Sequence, residues 1–138
     1  MKLFRVAYAH CDVPCGIYDP KPAQIAAATV LKMIQKMNEL KTPQAGATDG
    51  EIRQHQNDVV RMVLTKEEHA RICKEQILIL WTDYFKPEHF EKYPELTNKV
   101  LAACKLCSYN KQHVEEEKAQ ELVKAVDEIA EIFVETKK

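Results

Sequence analysis

Apolar residues recur along most of this 138-residue chain at spacings of three and four, the period of an α-helix with one buried face. Ala26, Val30, Met33, Ile34, Met37 and Leu40 form a first stripe. Asp19-Pro20 stands before it as an N-cap with a first-turn proline. KTPQAGATDG (41–50), with Pro43, Gly46 and Gly50, is the clearest loop, and Thr48 with Glu51 predicts a capping box. A second stripe, Ile52, Val59, Val63, Ala70, Cys73, Ile77 and Leu80, continues to about Tyr84. YFKPEHFEKYPEL (84–96) interrupts helical order at Pro87 and Pro94, yet its aromatics predict a packed segment. Pro94 starts a third helix through Val100, Leu101, Cys104 and about Tyr109. Leu122, Val123, Val126, Ile129, Ala130 and Phe133 mark a last one. The expected fold is all-α, an antiparallel four-helix bundle preceded by an N-terminal hook.

Composition narrows the class without naming a chemistry. Hydrophobic residues are 46% and charged residues 30%, values of a single globular domain, and three glycines disfavour a turn-rich β fold. Twenty basic and 21 acidic residues interleave to a net charge of −1, with no basic stripe for nucleic acid. No apolar run approaches the roughly 18 residues of a membrane span. The opening MKLFRVAYA ends in an A-x-A pattern but lacks the apolar core of about 7–15 residues of a secretory signal, so the expected location is cytoplasmic. Five cysteines, an odd number, favour free or metal-bound thiols over a disulfide framework.

The chemical density lies in HCDVPCGIYDP (10–20). Cys11 and Cys15 are three residues apart, Pro14 stiffens the backbone between them, and Gly16 permits a sharp turn after them. Such a loop can aim two thiolates at one soft metal: zinc, copper(I), an iron–sulfur centre or nickel. A cut after Ala9 would give His10 both its imidazole and a free α-amine, whose ordinary pKa is about 7.7–8.0. Nitrogen and sulfur donors in one plane favour Ni(II) or Cu(II), whereas zinc prefers a tetrahedron. Cys104 and Cys107 form a C-x-x-C inside a helical pattern and read as core, as does Cys73. His55, His89 and His113 read as surface or loop residues, and the methionines as packing residues.

HCDVPCGIYDP resembles the nickel hook of the nickel superoxide dismutase family, and WTDYFKPEHFEKYPEL (81–96) and IFVETKK (132–138) also match that family. The resemblance runs from His10 to the end of the chain. It implies that residues 1–9 are a leader removed by a dedicated peptidase, leaving 10–138 as the mature domain. It implies nickel held by the His10 amine, the Cys11 amide nitrogen, and the Cys11 and Cys15 thiolates, with the His10 imidazole as axial ligand in the oxidised state. Superoxide would be converted to dioxygen and hydrogen peroxide as nickel alternates between Ni(II) and Ni(III), in a homohexamer of four-helix bundles. Tyr18 would guard the open face with help from Asp12; Tyr84 would hydrogen-bond near the site and Lys86 would draw in the anion. One departure stands out: where the family has a glutamate and an arginine orienting the axial imidazole, this chain has Ala26 and His69. Two other classes share the hook chemistry: a non-catalytic nickel or copper carrier, and a helical thiol-redox protein using Cys11 and Cys15 or Cys104 and Cys107.

The free amine is the sharpest requirement of this reading. Nickel-loaded protein that mass spectrometry shows to begin at Met1 should have no dismutase activity, because its His10 nitrogen is locked in an amide. Protein cut to begin at His10 should be active.

Overall fold

A computed structural model describes residues 16–138, and the hook residues His10, Cys11, Asp12 and Cys15, with the leader, lie outside them. Five helices follow: α1 (Lys21–Glu39), α2 (Asp49–Ile79), α3 (Pro87–Lys92), α4 (Leu96–Gln112) and α5 (Glu116–Glu135). A π-helical turn, Leu80–Tyr84, extends α2. The four long helices close a ring in which α1 packs on α2, α2 on α4, α4 on α5, and α5 back on α1. Cross-links fix the directions. Gln24 near the start of α1 donates to Asp127 late in α5 (2.7 Å), while Gln35 near its end donates to Glu116 at the start of α5 (2.9 Å). Lys99 early in α4 pairs with Glu128 late in α5. The bundle is antiparallel, as the short connections require.

The start signals were legible. Thr48 and Glu51 form the predicted capping box: the Thr48 N–H donates to Glu51 Oε2 (2.7 Å), and the Glu51 N–H to Thr48 Oγ1 (3.3 Å). At α1 the cap is shifted by one residue. Pro20 occupies the N-cap with helical backbone angles, and the Asp19 carboxylate accepts from the Lys21 N–H (2.7 Å). Four further expectations are corrected. Ile52, in the first turn of α2, is 39% exposed, and Leu101 is 51% exposed on the outer face of α4. The 84–96 segment, read as non-helical, contains α3, started by the very Pro87 that breaks the preceding helix. The third bundle helix begins at Leu96, just past Pro94.

The core is built where the stripes predict it: Val30 and Ile34 from α1, Cys73 and Ile77 from α2, Leu96, Val100 and Cys107 from α4, and Leu122, Val126 and Ile129 from α5. Two polar side chains are buried with them, Lys66 and Asn110. The Lys66 ammonium donates to the main-chain carbonyls of Asn110 (2.5 Å) and Lys111 (2.7 Å), which end α4 and would otherwise lack partners. Asn110 Nδ2 donates to the carbonyls of Leu106 (2.9 Å) and Lys118 (3.1 Å), stitching the turn between α4 and α5. A lysine from α2 thus closes the end of a helix two elements away.

Burial holds the Lys66 ammonium below the ordinary lysine value, with the neighbouring Glu67 charge partly opposing the shift. At pH values below the depressed folded-state value, folded and unfolded chains both carry the proton and the full penalty of burying charge. Between that value and 10.5 the unfolded chain keeps the proton and the folded chain does not, so this group's contribution to stability rises with pH. Lys66→Met should remove that alkaline rise from urea-denaturation free energies measured across pH.

Candidate metal centre

The chain enters the described region through Gly16, whose φ of +89° lies in the left-handed range, with open space where a Cβ would stand. A side chain would be strained by the backbone here, so glycine supplies the sharp turn expected directly after Cys15. Ile17 is 77% exposed, and Tyr18 turns inward to 8% exposure. The alternation delivers one aromatic anchor to the bundle before α1 begins.

That anchor meets Tyr84. The two rings lie edge to face with centroids 6.0 Å apart. The π-helical turn sets this up: the Phe85 N–H reaches back to the Leu80 carbonyl (2.9 Å), one residue further than in an α-helix. The extra residue turns the end of α2, so that Tyr84 faces α5 and Phe85 is buried beside it. Tyr84 lies 4.3 Å from the Phe133 ring, 5.2 Å from Phe85 and 5.9 Å from the stacked His89 imidazole. Its hydroxyl meets Thr136 Oγ1 at 2.7 Å. Tyr18 and Tyr84, both singled out from sequence, are therefore brought together.

Lys86 is the first residue past this cluster. It occupies the N-cap of α3 with an exposed side chain, and its N–H donates to His89 Nδ1 (3.1 Å). That bond makes Nδ1 an acceptor and places the neutral ring's proton on Nε2. His89, expected as a surface or loop residue, is thus half-buried and bonded to the Lys86 N–H. Lys137 adds a second cation at this end, its ammonium 4.4 Å from the Phe133 ring centroid. An open cleft between the start of α1 and the end of α5 is lined by Asp19, Gln24, Asp127, Phe133 and Lys137. Sequence reasoning missed Thr136, Phe133 and His89 as neighbours of Tyr84; the family matches of IFVETKK, which holds the first two, and of WTDYFKPEHFEKYPEL, which holds His89, were the signals that pointed toward them.

Ala26 is buried within the core face of α1, so no carboxylate stands at that position. His69 is half-buried on α2, its Nδ1 bonded to the Thr65 carbonyl one turn earlier (2.9 Å), which leaves Nε2 as the acceptor of a neutral ring. Among the described residues no three His, Cys, Asp or Glu side chains converge as a metal site. The proposed donors fit nickel by their chemistry: two thiols and an imidazole within residues 10–15, with Gly16 directly after them.

A thiol- and imidazole-bearing stretch leading into an antiparallel helical bundle points to a class, the helical metalloproteins, with residues 10–15 as its candidate donors. The particular family follows from comparison. The model of the family "nickel-containing superoxide dismutase" matches residues 5–137, and the chain belongs to that family. Superoxide dismutase [Ni] of Streptomyces coelicolor is 39% identical over 130 residues, spanning 94% of this chain and 89% of that one. The Streptomyces seoulensis protein of the same name is 38% identical over the same spans. A native nickel superoxide dismutase structure at 1.30 Å superposes with a TM-score of 0.78 at 38% identity, covering 94% of this chain and all of that one. Among the described residues no helix is long and apolar enough to cross a membrane.

The remaining thiols belong to the core. Cys73 and Cys107 are fully buried and Cys104 nearly so, all as free cysteines. Contact with Cys73 and burial push the Cys107 thiol far above its ordinary value, and burial raises Cys104. Thiols held protonated are poor nucleophiles. In native protein at pH 8, Cys73, Cys104 and Cys107 should resist iodoacetamide, with peptide mass spectrometry finding the label there only after denaturation. Rapid native labelling at Cys104 and Cys107 would revive the thiol-redox reading.

Proposed function

We infer that this chain is a nickel-dependent superoxide dismutase, converting superoxide to dioxygen and hydrogen peroxide. The observation that carries the reading is the family match over residues 5–137 together with the intact donor set His10, Cys11 and Cys15. Nickel would be held by the His10 amine and imidazole, the Cys11 amide nitrogen, and the Cys11 and Cys15 thiolates. Bound there, it would supply one-electron oxidation and reduction between Ni(II) and Ni(III), the higher state being stabilised by anionic sulfur and nitrogen donors.

The chain's own residues do the rest. Tyr18 and Tyr84 form an aromatic wall, edge to face, that limits the space beside the hook and keeps bulky reductants out. Asp12, two residues before Pro14, helps hold Tyr18 in register. Lys86 carries an exposed positive charge next to that wall and raises the local concentration of a small anion. Its contribution is to encounter rate and therefore falls with added salt. Residues 1–9 are a leader whose removal by a peptidase frees the His10 amine. The mature protein is a cytoplasmic homohexamer.

A carrier would need the donors but not the Tyr18–Tyr84 wall, and this favours the enzyme over nickel storage. Electron paramagnetic resonance on nickel-loaded protein beginning at His10 should give a rhombic Ni(III) signal, with superoxide consumption followed by pulse radiolysis. Cys15→Ser should abolish both the signal and the activity. Stoichiometric zinc in the purified protein, or full activity in the serine variant, would refute the assignment.

A further inference from the structure

The Tyr84 hydroxyl has a direction. Thr136, just past the end of α5, places Oγ1 2.7 Å from the Phe133 carbonyl and 2.7 Å from Tyr84 Oη. A carbonyl only accepts, so the threonine's single proton goes to Phe133. The Lys137 N–H, which could have taken that carbonyl in a continuing helix, turns instead to Val134 (3.2 Å). With its own proton spent, Thr136 Oγ1 can only accept from the tyrosine. Tyr84 is therefore the donor, its proton aimed at α5 and away from Tyr18.

The rest of the ring's surroundings hold it in that state. Phe133 and Phe85 wall two sides, and His89 stacks on the ring with Nδ1 already taken by the Lys86 N–H. With its proton committed to Thr136, Tyr84 Oη can offer any further partner only its lone pairs.

We propose that Thr136 is a positioning residue for dismutation: it takes the Tyr84 phenolic proton and so presents Tyr84 Oη to the hook side as an acceptor only. This rests on the reading that Tyr84 borders the reacting groups. The chemical consequence concerns anions. A phenol free to donate would hydrogen-bond superoxide and other small anions and hold them beside the wall. A phenol whose proton is committed offers an anion no donor, while it can still accept from water or from the O–H of hydrogen peroxide. The device disfavours lingering anions and leaves the neutral product a partner.

Thr136→Val removes the acceptor with little change in shape, and Thr136→Ser keeps it. In the nickel-loaded valine variant the freed phenol should tighten inhibition by azide roughly ten- to a hundredfold, the scale of one hydrogen bond to a charge. KM for superoxide and kcat should both fall, and Thr136→Ser should behave as wild type. A purely structural loss would weaken anion binding or leave it unchanged, so unchanged or weaker azide inhibition in folded, nickel-replete Thr136→Val overturns the proposal. Failure of the serine to rescue overturns it too. Neutron diffraction of deuterated wild-type protein should find the Tyr84 deuteron on the line to Thr136 Oγ1, and a deuteron pointing toward Tyr18 instead would also overturn it. If nickel-loaded wild type had no dismutase activity, the functional reading would fail with it. The deuteron's position would then separate a wrong enzyme assignment from a wrong hydrogen-bond assignment.

Discussion

The meeting of Tyr18 with Tyr84 is the contact on which the rest of the site depends. Tyr18 is the first buried side chain of the described residues, three positions after Cys15. Whatever the hook does, its trailing end is tied to the bundle by this ring. The tie is specific because aromatic edges prefer faces and because Tyr84 is itself immobilised by Phe133, Phe85 and Thr136. An aliphatic residue at 18 could fill the space, but would not give an edge-to-face contact. The position of Tyr18 is thus fixed by a cluster drawn from α2, α3 and α5.

A local irregularity creates that cluster. Had α2 continued with ordinary hydrogen bonds, Tyr84 would point about one residue's rotation, roughly 100°, away from its present direction. The π-helical turn absorbs the extra residue, and Pro87 then opens α3 so that His89 returns to stack on Tyr84. The same short stretch buries Phe85 and exposes Lys86. Packing and electrostatics at this end of the bundle are therefore consequences of one wide hydrogen bond, from the Phe85 N–H to the Leu80 carbonyl.

Much of the fold was legible in the sequence because helical periodicity is a local signal. The stripes identified Val30, Ile34, Ala70, Ile77, Leu122 and Ile129 correctly as core, and the Thr48–Glu51 box lies where its spacing predicts. The failures share one cause. Ile52 and Leu101 lie on apolar stripes but are exposed, because a stripe shows which residues share a face and not whether a neighbour covers it. Lys66 went unnoticed because its burial depends on carbonyls 44 and 45 positions away, and Asn110 because its partners, the carbonyls of Leu106 and Lys118, come together only at the turn between α4 and α5. The family was legible for the opposite reason. The stretch that carries the resemblance is contiguous, so it is written in a few consecutive residues and needs no tertiary information. Thr136 lies between these cases: its stretch matched the family, while its role needs the distance to a tyrosine 52 positions earlier.

The departure at Ala26 and His69 can now be stated physically. Ala26 contributes a methyl group to the apolar face of α1, and His69 uses Nδ1 within its own helix, so the two cannot form the carboxylate–guanidinium pair that the family places there. A neutral His69 keeps one acceptor at Nε2, which could receive a single N–H but could not share a proton through an ion pair. Neither residue can then supply a charged partner to the proposed axial imidazole, whereas Tyr18 keeps its ring contact with Tyr84. An imidazole held by neutral partners is less basic than one backed by a carboxylate, and it donates less electron density to a metal. If His10 binds nickel as proposed, Ala26 and His69 would leave its imidazole without a charged partner, and the effect would fall first on the stability of the higher oxidation state, before any effect on whether nickel binds.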